Sequence, residues 1–258
     1  MACQRSIRLP NQDTGHYPIV ACSTTFAHNS NIVPDPPDLI LVSSDGVHFY
    51  VHSQQLLGES ANQLNSLLSP EGEHDYNRLI TLPEPSTVVN VILHTMYGIS
   101  CTPYHPSALT VIAAITALPK YGVTLKQCIV PGMPLYATAL ESLPCEPIEF
   151  YTLAAEHELH PLAVEASTHM GDFSIMSIPD EQVERMGVMY YKKLVAMAEG
   201  RADMVKRLTR AQPEAHPPTP SCTEEDQQLM RTSWTILVSE FAWDRLRCPR
   251  SSVLSFCS

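Results

Sequence analysis

The first regular pattern along the chain is a pair of short apolar runs. Residues 38–42 and 47–51 are two such runs, and Ser44, Asp45 and Gly46 between them favour a turn, so the pattern predicts a β-hairpin. A polar stretch at 69–77 is typical of a loop. The next apolar run predicts a third strand at residues 78–82, which places a small sheet in the first half of the chain.

After the hairpin, apolar residues recur every three or four positions, which predicts amphipathic helices. The first helical period covers residues 53–68, where Ser60 is placed to cap the second half by accepting an unpaired N–H. Ser86 and Thr223 are placed to cap two later helices. The later periods lie at residues 86–97, 107–118, 123–139 (in pieces), 147–159, 162–173, 180–208 and 223–243.

Polar and proline-rich segments divide the chain into regions. The predicted fold class is α+β, with a short mixed sheet against a helical cluster, followed by an all-α C-terminal region. The predicted regions are a disordered leader (1–35, with a candidate strand at 17–26), a mixed domain (36–140), a helical extension (147–208), a proline-rich linker (212–222), a C-terminal helix (223–244) and an irregular tail (245–258).

Charge narrows the classes of partner. The 258 residues include 27 acidic and 16 basic side chains, for a formal net charge of −11. Binding to nucleic acid or to an anionic membrane needs clustered Lys and Arg, so neither is expected as a partner. The imbalance is greatest over residues 37–122, where Arg78 and Lys120 are the only bases. This imbalance predicts a protein partner with a neutral or basic docking surface.

The sequence also bears on the cell compartment. The first 20 residues contain no apolar core of the length that a secretory signal needs, and no run of the chain is long enough to span a membrane. We therefore expect an intracellular protein, nuclear and/or cytoplasmic, whose eight cysteines are reduced thiols, mostly packed as small apolar side chains.

Residues that could carry chemistry do not form a known constellation. His157 and His160, with Glu156, resemble a metal pair on a helix, but Pro161 is expected to end that helix and no third ligand is evident. A second, looser group lies near the C-terminus and comprises His216, Cys222, Cys248 and Cys257. We therefore assign no catalytic residue, cofactor or metal. The methionine-rich helix (Met186, Met189, Met197 and Met204) is expected to pack mainly into the core.

The order of hairpin, helices, strand and helix, together with particular residues, resembles a BTB/POZ domain, and most of all the fungal BTB proteins of this size. The resemblance covers residues 36–140 and implies the BTB/POZ fold. The matching features are Asp38 before an apolar strand, the turn Ser44-Asp45-Gly46, Phe49 before Val51-His52, Leu56-Leu57, Ser60, Leu82-Pro83-Glu84, Tyr97 and Cys128.

The sequence departs from the family pattern at three places. The domain commonly has Lys or Arg directly after the histidine, where this chain has Ser53, which puts a charged groove with Asp38 in doubt. The usual Ser-x-x-Phe becomes Ser60 followed by Leu64. The hydrophobic-x-Glu element of many cullin-binding members would fall near residues 97–106, and this stretch contains no Glu.

The resemblance implies a non-enzymatic protein–protein interaction module that forms homodimers and acts as a scaffold or adaptor, including in transcriptional regulation. The family-like positions expected to take part are Asp38, His52, Leu56, Leu57, Ser60 and Leu64. Leu67 and Leu68 join the three leucines as candidates for core plus dimer face, and the strand at 17–26 is a candidate for exchange between subunits. The alternatives are a cullin ubiquitin-ligase substrate adaptor and, further away, a small Cys/His hydrolase or zinc protein.

Overall fold

The computed structural model describes residues 5–7, 20–68, 78–171 and 174–247, and it describes side chains for residues 20–68, 78–171 and 174–239. The chain divides into two compact units, with the boundary between His169 and Met170. The first unit is an α+β structure in which a small mixed sheet packs with helices, as the sequence predicted. The second unit is helical in its described part.

The sheet belongs to the first unit. Its strands are β1 (Arg5–Ile7), β2 (Val20–Cys22), β3 (Leu39–Val42), β4 (His48–Val51) and β5 (Arg78–Thr81). The spatial order is β1-β2-β4-β3-β5. Strands β3 and β4 pair antiparallel, with Leu39 opposite Val51 and Val42 opposite His48, which confirms the predicted hairpin. Strand β5 runs parallel to β3, and β2 runs parallel to β4.

Ten α-helices follow in the described residues. They are α1 (Ser53–Glu59), α2 (Gln63–Ser66), α3 (Ser86–Met96), α4 (Ala108–Ala117), α5 (Leu125–Cys128), α6 (Pro134–Ser142), α7 (Pro147–Glu156), α8 (His160–Thr168), α9 (Asp180–Arg210) and α10 (Glu224–Arg247). Short 3₁₀ turns lie at Thr102–Tyr104, Leu118–Tyr121 and Ile175–Ser177. Pro134 and Pro147 stand in the first turns of their helices, where the missing N–H costs nothing.

Both faces of the hairpin are buried. Phe49 and Val51 point to one side and Tyr50 to the other, and all three are at most 5% exposed. The segment after β2 runs along the edge of β4, where the Tyr50 N–H donates to the Phe26 carbonyl at 2.8 Å, and His28 packs edge-on against the Tyr50 ring. Phe26 is itself 1% exposed and packs edge-on against the rings of His94 and Tyr97.

The burial of Phe26 corrects the prediction of a disordered leader over residues 20–35. Cys22 is also buried in this segment, and β2 lies between β1 and β4 within the sheet of its own chain. Within the candidate exchange strand at 17–26, Val20–Cys22 forms β2, residues 17–19 lie outside the described residues, and exchange between subunits stays a prediction. The composition of this segment is mostly polar and therefore did not predict its burial. Two buried side chains, Cys22 and Phe26, anchor it.

The helical extension predicted at 147–208 is divided between the two units. Helices α7 and α8 pack against each other in the first unit, and α9 belongs to the second. In the described residues, no helix is apolar over a sufficient length to cross a membrane.

Two features of the second unit follow local sequence signals. Thr223 and Asp226 form the predicted cap of α10, since the Thr223 N–H donates to the Asp226 carboxylate at 2.8 Å and the Asp226 N–H returns to the Thr223 hydroxyl. Helix α9 breaks at Gly187, whose φ of 70° lies in the region that favours glycine. The expectation of a methionine core holds for Met186 but is wrong for Met189 and Met204, which are 70% and 64% exposed.

Candidate interaction site

Asp38 ties the start of helix α1 to the sheet. Its Oδ1 accepts the Ser53 N–H at 2.7 Å, and its Oδ2 accepts the Ser53 hydroxyl. The first N–H groups of a helix have no partner within the helix, so a carboxylate at this place satisfies one of them and opposes the positive end of the helix dipole. Ser53 therefore binds Asp38 through both its backbone N–H and its hydroxyl.

His52 is held at three of its atoms. Its N–H and its ring Nδ1 contact the Tyr97 hydroxyl at 2.8 and 2.9 Å, and Nε2 contacts the Asp35 carbonyl at 2.8 Å. A carbonyl can only accept, so Nε2 carries the proton and the Tyr97 hydroxyl donates to Nδ1 while it accepts the His52 N–H. Burial raises the pKa of Tyr97 to about 12, although the bond from the His52 N–H opposes the rise.

The structure shows which of the leucines predicted for the core and dimer face are buried and which are partly exposed. Leu56, Leu64 and Leu68 are at most 4% exposed and belong to the core. Leu57 and Leu67 are half-buried. Of the three family-like leucines, only Leu57 leaves part of its side chain at the surface.

Ser60 joins two distant segments. Its hydroxyl donates to the Tyr121 carbonyl at 2.7 Å and accepts the Leu64 N–H at 2.7 Å. Ser60 therefore accepts an unpaired N–H as predicted, but the residue at the start of α2 is Asn62, whose side chain accepts the Asn65 N–H. The prediction that a right-handed helix continues here is wrong. All four residues of α2 have positive φ, between 53° and 61°, so this turn is left-handed.

Gly122 lies against the chain before α2. The Ala61 N–H donates to the Gly122 carbonyl at 3.0 Å, and the Asn62 amide donates to the Lys120 carbonyl at 2.9 Å. Gly122 has a φ of +76°, and a Cβ there would lie 2.7 Å from the Asn62 backbone nitrogen. This close approach requires glycine and fixes the bend between α1 and α2.

Two further carboxylates form anchors that sequence reasoning missed. Asp45 accepts both the N–H and the hydroxyl of Ser86, at 2.8 and 2.6 Å, so Ser86 is the first residue of α3 and Asp45 supplies the cap that was predicted for Ser86 itself. Glu84 accepts Lys120 at 2.7 Å and the Tyr121 hydroxyl. Their partners lie 36 to 41 positions away, so no local pattern could have identified either pair.

Electrostatics at these anchors favour the charged carboxylates. Burial opposes ionisation of Asp45 and Glu84, but the hydrogen bonds they accept outweigh it and hold the pKa of each below its usual range. Asp38, Asp45 and Glu84 account for three of the acids in residues 37–122, and all three bind within the chain. Fewer acidic side chains of residues 37–122 are therefore available to bind a partner than the sequence predicted.

A small open pocket lies between α1, the end of α3 and α5. Its volume is about 160 Å³, and its lining includes Gln55, Glu59, Tyr97 and Gln127. Pockets that bind small organic ligands usually measure about 300–1,000 Å³. This pocket is consistent with a side chain or water and carries no small-molecule assignment.

Three buried thiols of the first unit lie in surroundings that disfavour the thiolate. Burial raises the pKa of the Cys22, Cys101 and Cys128 thiols, that of Cys128 to about 11, so these thiols are protonated at neutral pH. Cys222 is also a free thiol, whereas Cys145 is disulfide-bonded, contrary to the expectation of reduced thiols.

The structure places the residues of the two candidate metal sites differently. Helix α7 ends at Glu156 and α8 begins at His160, so His157 and His160 do not share one helix face. Cys248 and Cys257 of the second group lie outside the described residues. Within residues 20–68, 78–171 and 174–239, no group of three or more His, Cys, Asp or Glu could hold a metal ion.

No family model matches the chain, and a comparison with curated proteins finds no significant match.

Proposed function

We propose that residues 36–140 form an interaction domain of the BTB/POZ type, and that the protein is a non-enzymatic scaffold or adaptor that self-associates inside the cell. The observation that supports this most is the convergence of positions that carry the resemblance. His52 bonds to Tyr97 across 45 positions, and Asp38 holds the N-terminus of the helix that contains Leu56 and Leu57. These positions act together in one part of the fold.

A homodimer would use the exposed side of α1. Leu57 is half-buried there, next to the exposed Gly58 and one turn from the exposed Gln54. When a second copy covers this apolar surface, the surface is removed from water, and this lowers the free energy of the dimer relative to two monomers. A two-fold arrangement would place the same patch of both copies in contact, which is the commonest assembly of soluble proteins.

Light scattering coupled to size-exclusion chromatography tests this proposal. We expect the full chain to have the mass of a dimer at high micromolar concentration, and Leu57→Glu to reach that mass only at a clearly higher protein concentration, with an unchanged circular dichroism spectrum. Leu109→Glu is the matched control, since Leu109 is 64% exposed on α4, and it should remain dimeric. A monomeric wild-type chain would refute the self-association.

The alternative of a cullin ubiquitin-ligase adaptor receives less support, because residues 97–106 contain no Glu. A binding assay with purified cullin separates the two roles. Saturable binding would favour the adaptor, and absence of binding with an intact dimer would favour a scaffold. Metal analysis of the purified chain addresses the zinc protein, since a structural site would hold one equivalent.

A further inference from the structure

Helix α10 has an exposed apolar face. Leu229, Met230, Ile236 and Leu237 are 68%, 43%, 52% and 61% exposed, and the half-buried Trp234 lies among them at helical spacing. We call these five residues the α10 face. The opposite side of the helix carries the polar residues Gln228, Arg231, Thr232 and Thr235, together with the half-buried Val238. The large exposed apolar side chains are therefore grouped along one side of this part of the helix.

The C-terminal end of α9 is exposed and apolar in the same way. Met204 and Leu208 lie one turn apart and are 64% and 66% exposed. Arg207 is exposed three positions after Met204, on the neighbouring side of the helix, and the exposed Arg210 is the last residue of α9. We call these four residues the α9 end. A surface that combines two large apolar side chains with two cations fits a partner that is apolar and acidic.

The first turn of α10 has that complementary character. Glu224 and Glu225 are exposed there, just before the α10 face begins. If the two helices pack antiparallel, the arginines at the C-terminus of α9 meet the glutamates at the N-terminus of α10, and the apolar residues of both helices meet next to them. Each set of charges also lies at the end of its own helix where the dipole favours it.

We propose that the α10 face docks on the α9 end of a second copy of this chain, and that the second copy returns the same contact. Two reciprocal contacts close a two-fold dimer and leave no open chain of subunits. In one copy both surfaces are exposed, so the fold of a single chain does not cover either of them. This contact is argued from residues other than those of the α1 contact, and the two contacts join the same pair of copies, so the assembly stays a dimer.

The tryptophans allow this contact to be observed on the unmodified protein. The chain has two, Trp234 and Trp243, and both lie within α10. If the α10 face becomes buried on dimerisation, the emission maximum of the full chain should move to shorter wavelength as its concentration rises through the micromolar range. A dimer made only through α1 would increase the mass without this shift, so failure of one proposal is distinguishable from failure of the other.

Charge reversal identifies the partner. One variant carries Arg207→Glu and Arg210→Glu, and another carries Glu224→Lys and Glu225→Lys. Each variant alone brings like charges together in both reciprocal contacts, and we expect the midpoint of the fluorescence shift to rise about tenfold or more in concentration. An equimolar mixture pairs acid with base in both contacts of a heterodimer, so mixing should restore the shift. The chain with all four substitutions should also regain it.

Each alternative partner of the α10 face gives a different result in the fluorescence experiment. If the α10 face docks on the α9 end of its own chain, the emission maximum will not depend on concentration and mixing will restore nothing, which overturns the proposal. Emission that stays independent of concentration with no effect of either variant overturns it as well and leaves the surface to another protein. Leu109→Glu should shift like wild type. The unmodified chain decides the question if a variant fails to fold.

Discussion

The hydroxyl of Tyr97 binds His52 at two atoms, accepting the backbone N–H at 2.8 Å and contacting the ring Nδ1 at 2.9 Å. Tyr97 directly follows α3, whereas His52 stands between β4 and α1. The pair therefore joins the hairpin, the first helix and the end of α3. Because Nε2 donates to the Asp35 carbonyl, the same ring also holds the segment that precedes β3.

Removal of this hydroxyl should destabilise the first unit. Tyr97→Phe keeps the ring but leaves the His52 N–H and Nδ1 without their partner, which should lower the free energy of unfolding by about 1–3 kcal/mol. Urea unfolding measures the change. Tyr191→Phe is the control, since Tyr191 is half-buried on α9, and it should change the free energy by no more than about 0.5 kcal/mol. Equal losses in both variants would contradict the role of Tyr97.

Alkaline pH should weaken the same anchor. Burial raises the pKa of Tyr97 from 10.0 to about 12, so the folded state favours the neutral phenol. This contribution to stability is complete below pH 10 and is lost as the pH rises from 10 towards 12. The stability difference between wild type and Tyr97→Phe should therefore shrink over this range, as measured by urea unfolding at each pH. A difference that is constant with pH would exclude this contribution.

Asp45 should contribute to stability near neutral pH and not in acid. Asp45→Asn removes the charge that accepts the Ser86 N–H and hydroxyl at the start of α3, and it should cost about 1–2 kcal/mol at pH 7. The hydrogen bonds hold the pKa of Asp45 below its usual range, so its contribution is lost as the pH falls through that lower pKa. Wild type and variant should converge in acid.

Thermal unfolding between neutral and acidic pH checks the prediction for Asp45. The control is Glu141→Gln on α6, where an exposed acid is neutralised and little change is expected. If the Asp45→Asn variant lost as much stability in acid as at neutral pH, the loss would come from packing.

Gly122 should tolerate no side chain. Gly122→Ala places a Cβ 2.7 Å from the Asn62 nitrogen at a φ of +76°, so both the contact and the backbone conformation are unfavourable. Gly98→Ala separates the two causes, because its φ is +65° and nothing lies within 4 Å of the added Cβ. We expect a loss of about 1 kcal/mol for Gly98→Ala and a clearly larger loss for Gly122→Ala in urea unfolding. Equal losses would mean that Asn62 can move aside.

The buried thiols should react slowly with alkylating reagents. Burial raises the pKa of Cys128 to about 11, so little reactive thiolate is present at neutral pH, whereas Cys222 is half-buried in a loop. Mass spectrometry after brief iodoacetamide treatment at neutral pH should find Cys222 modified before Cys22, Cys101 and Cys128. Denaturant should remove the difference. Rapid modification of Cys128 in the folded protein would revive the hydrolase hypothesis.

Local signals in the sequence determined the elements whose stabilising groups lie close together. The turn at residues 44–46 and the apolar runs beside it predict the hairpin, because two strands joined by so short a turn can only pair with each other. Thr223 and Asp226 predict the start of α10 for a similar reason, since both halves of the cap lie within one helical turn. The resemblance carried by residues 36–140 also comes from sequence alone.

Only the tertiary structure decided which polar residues act together and which leucines remain at the surface. Asp45 and Ser86, His52 and Tyr97, and Ser60 and Tyr121 are separated by 41, 45 and 61 positions. Such pairs form when the sheet and helices close the loops between them, and a helical or strand period contains no information about that closure. Leu56 and Leu57 are neighbours with the same chemistry, and only the packing of α1 buries one of them and leaves the other half exposed.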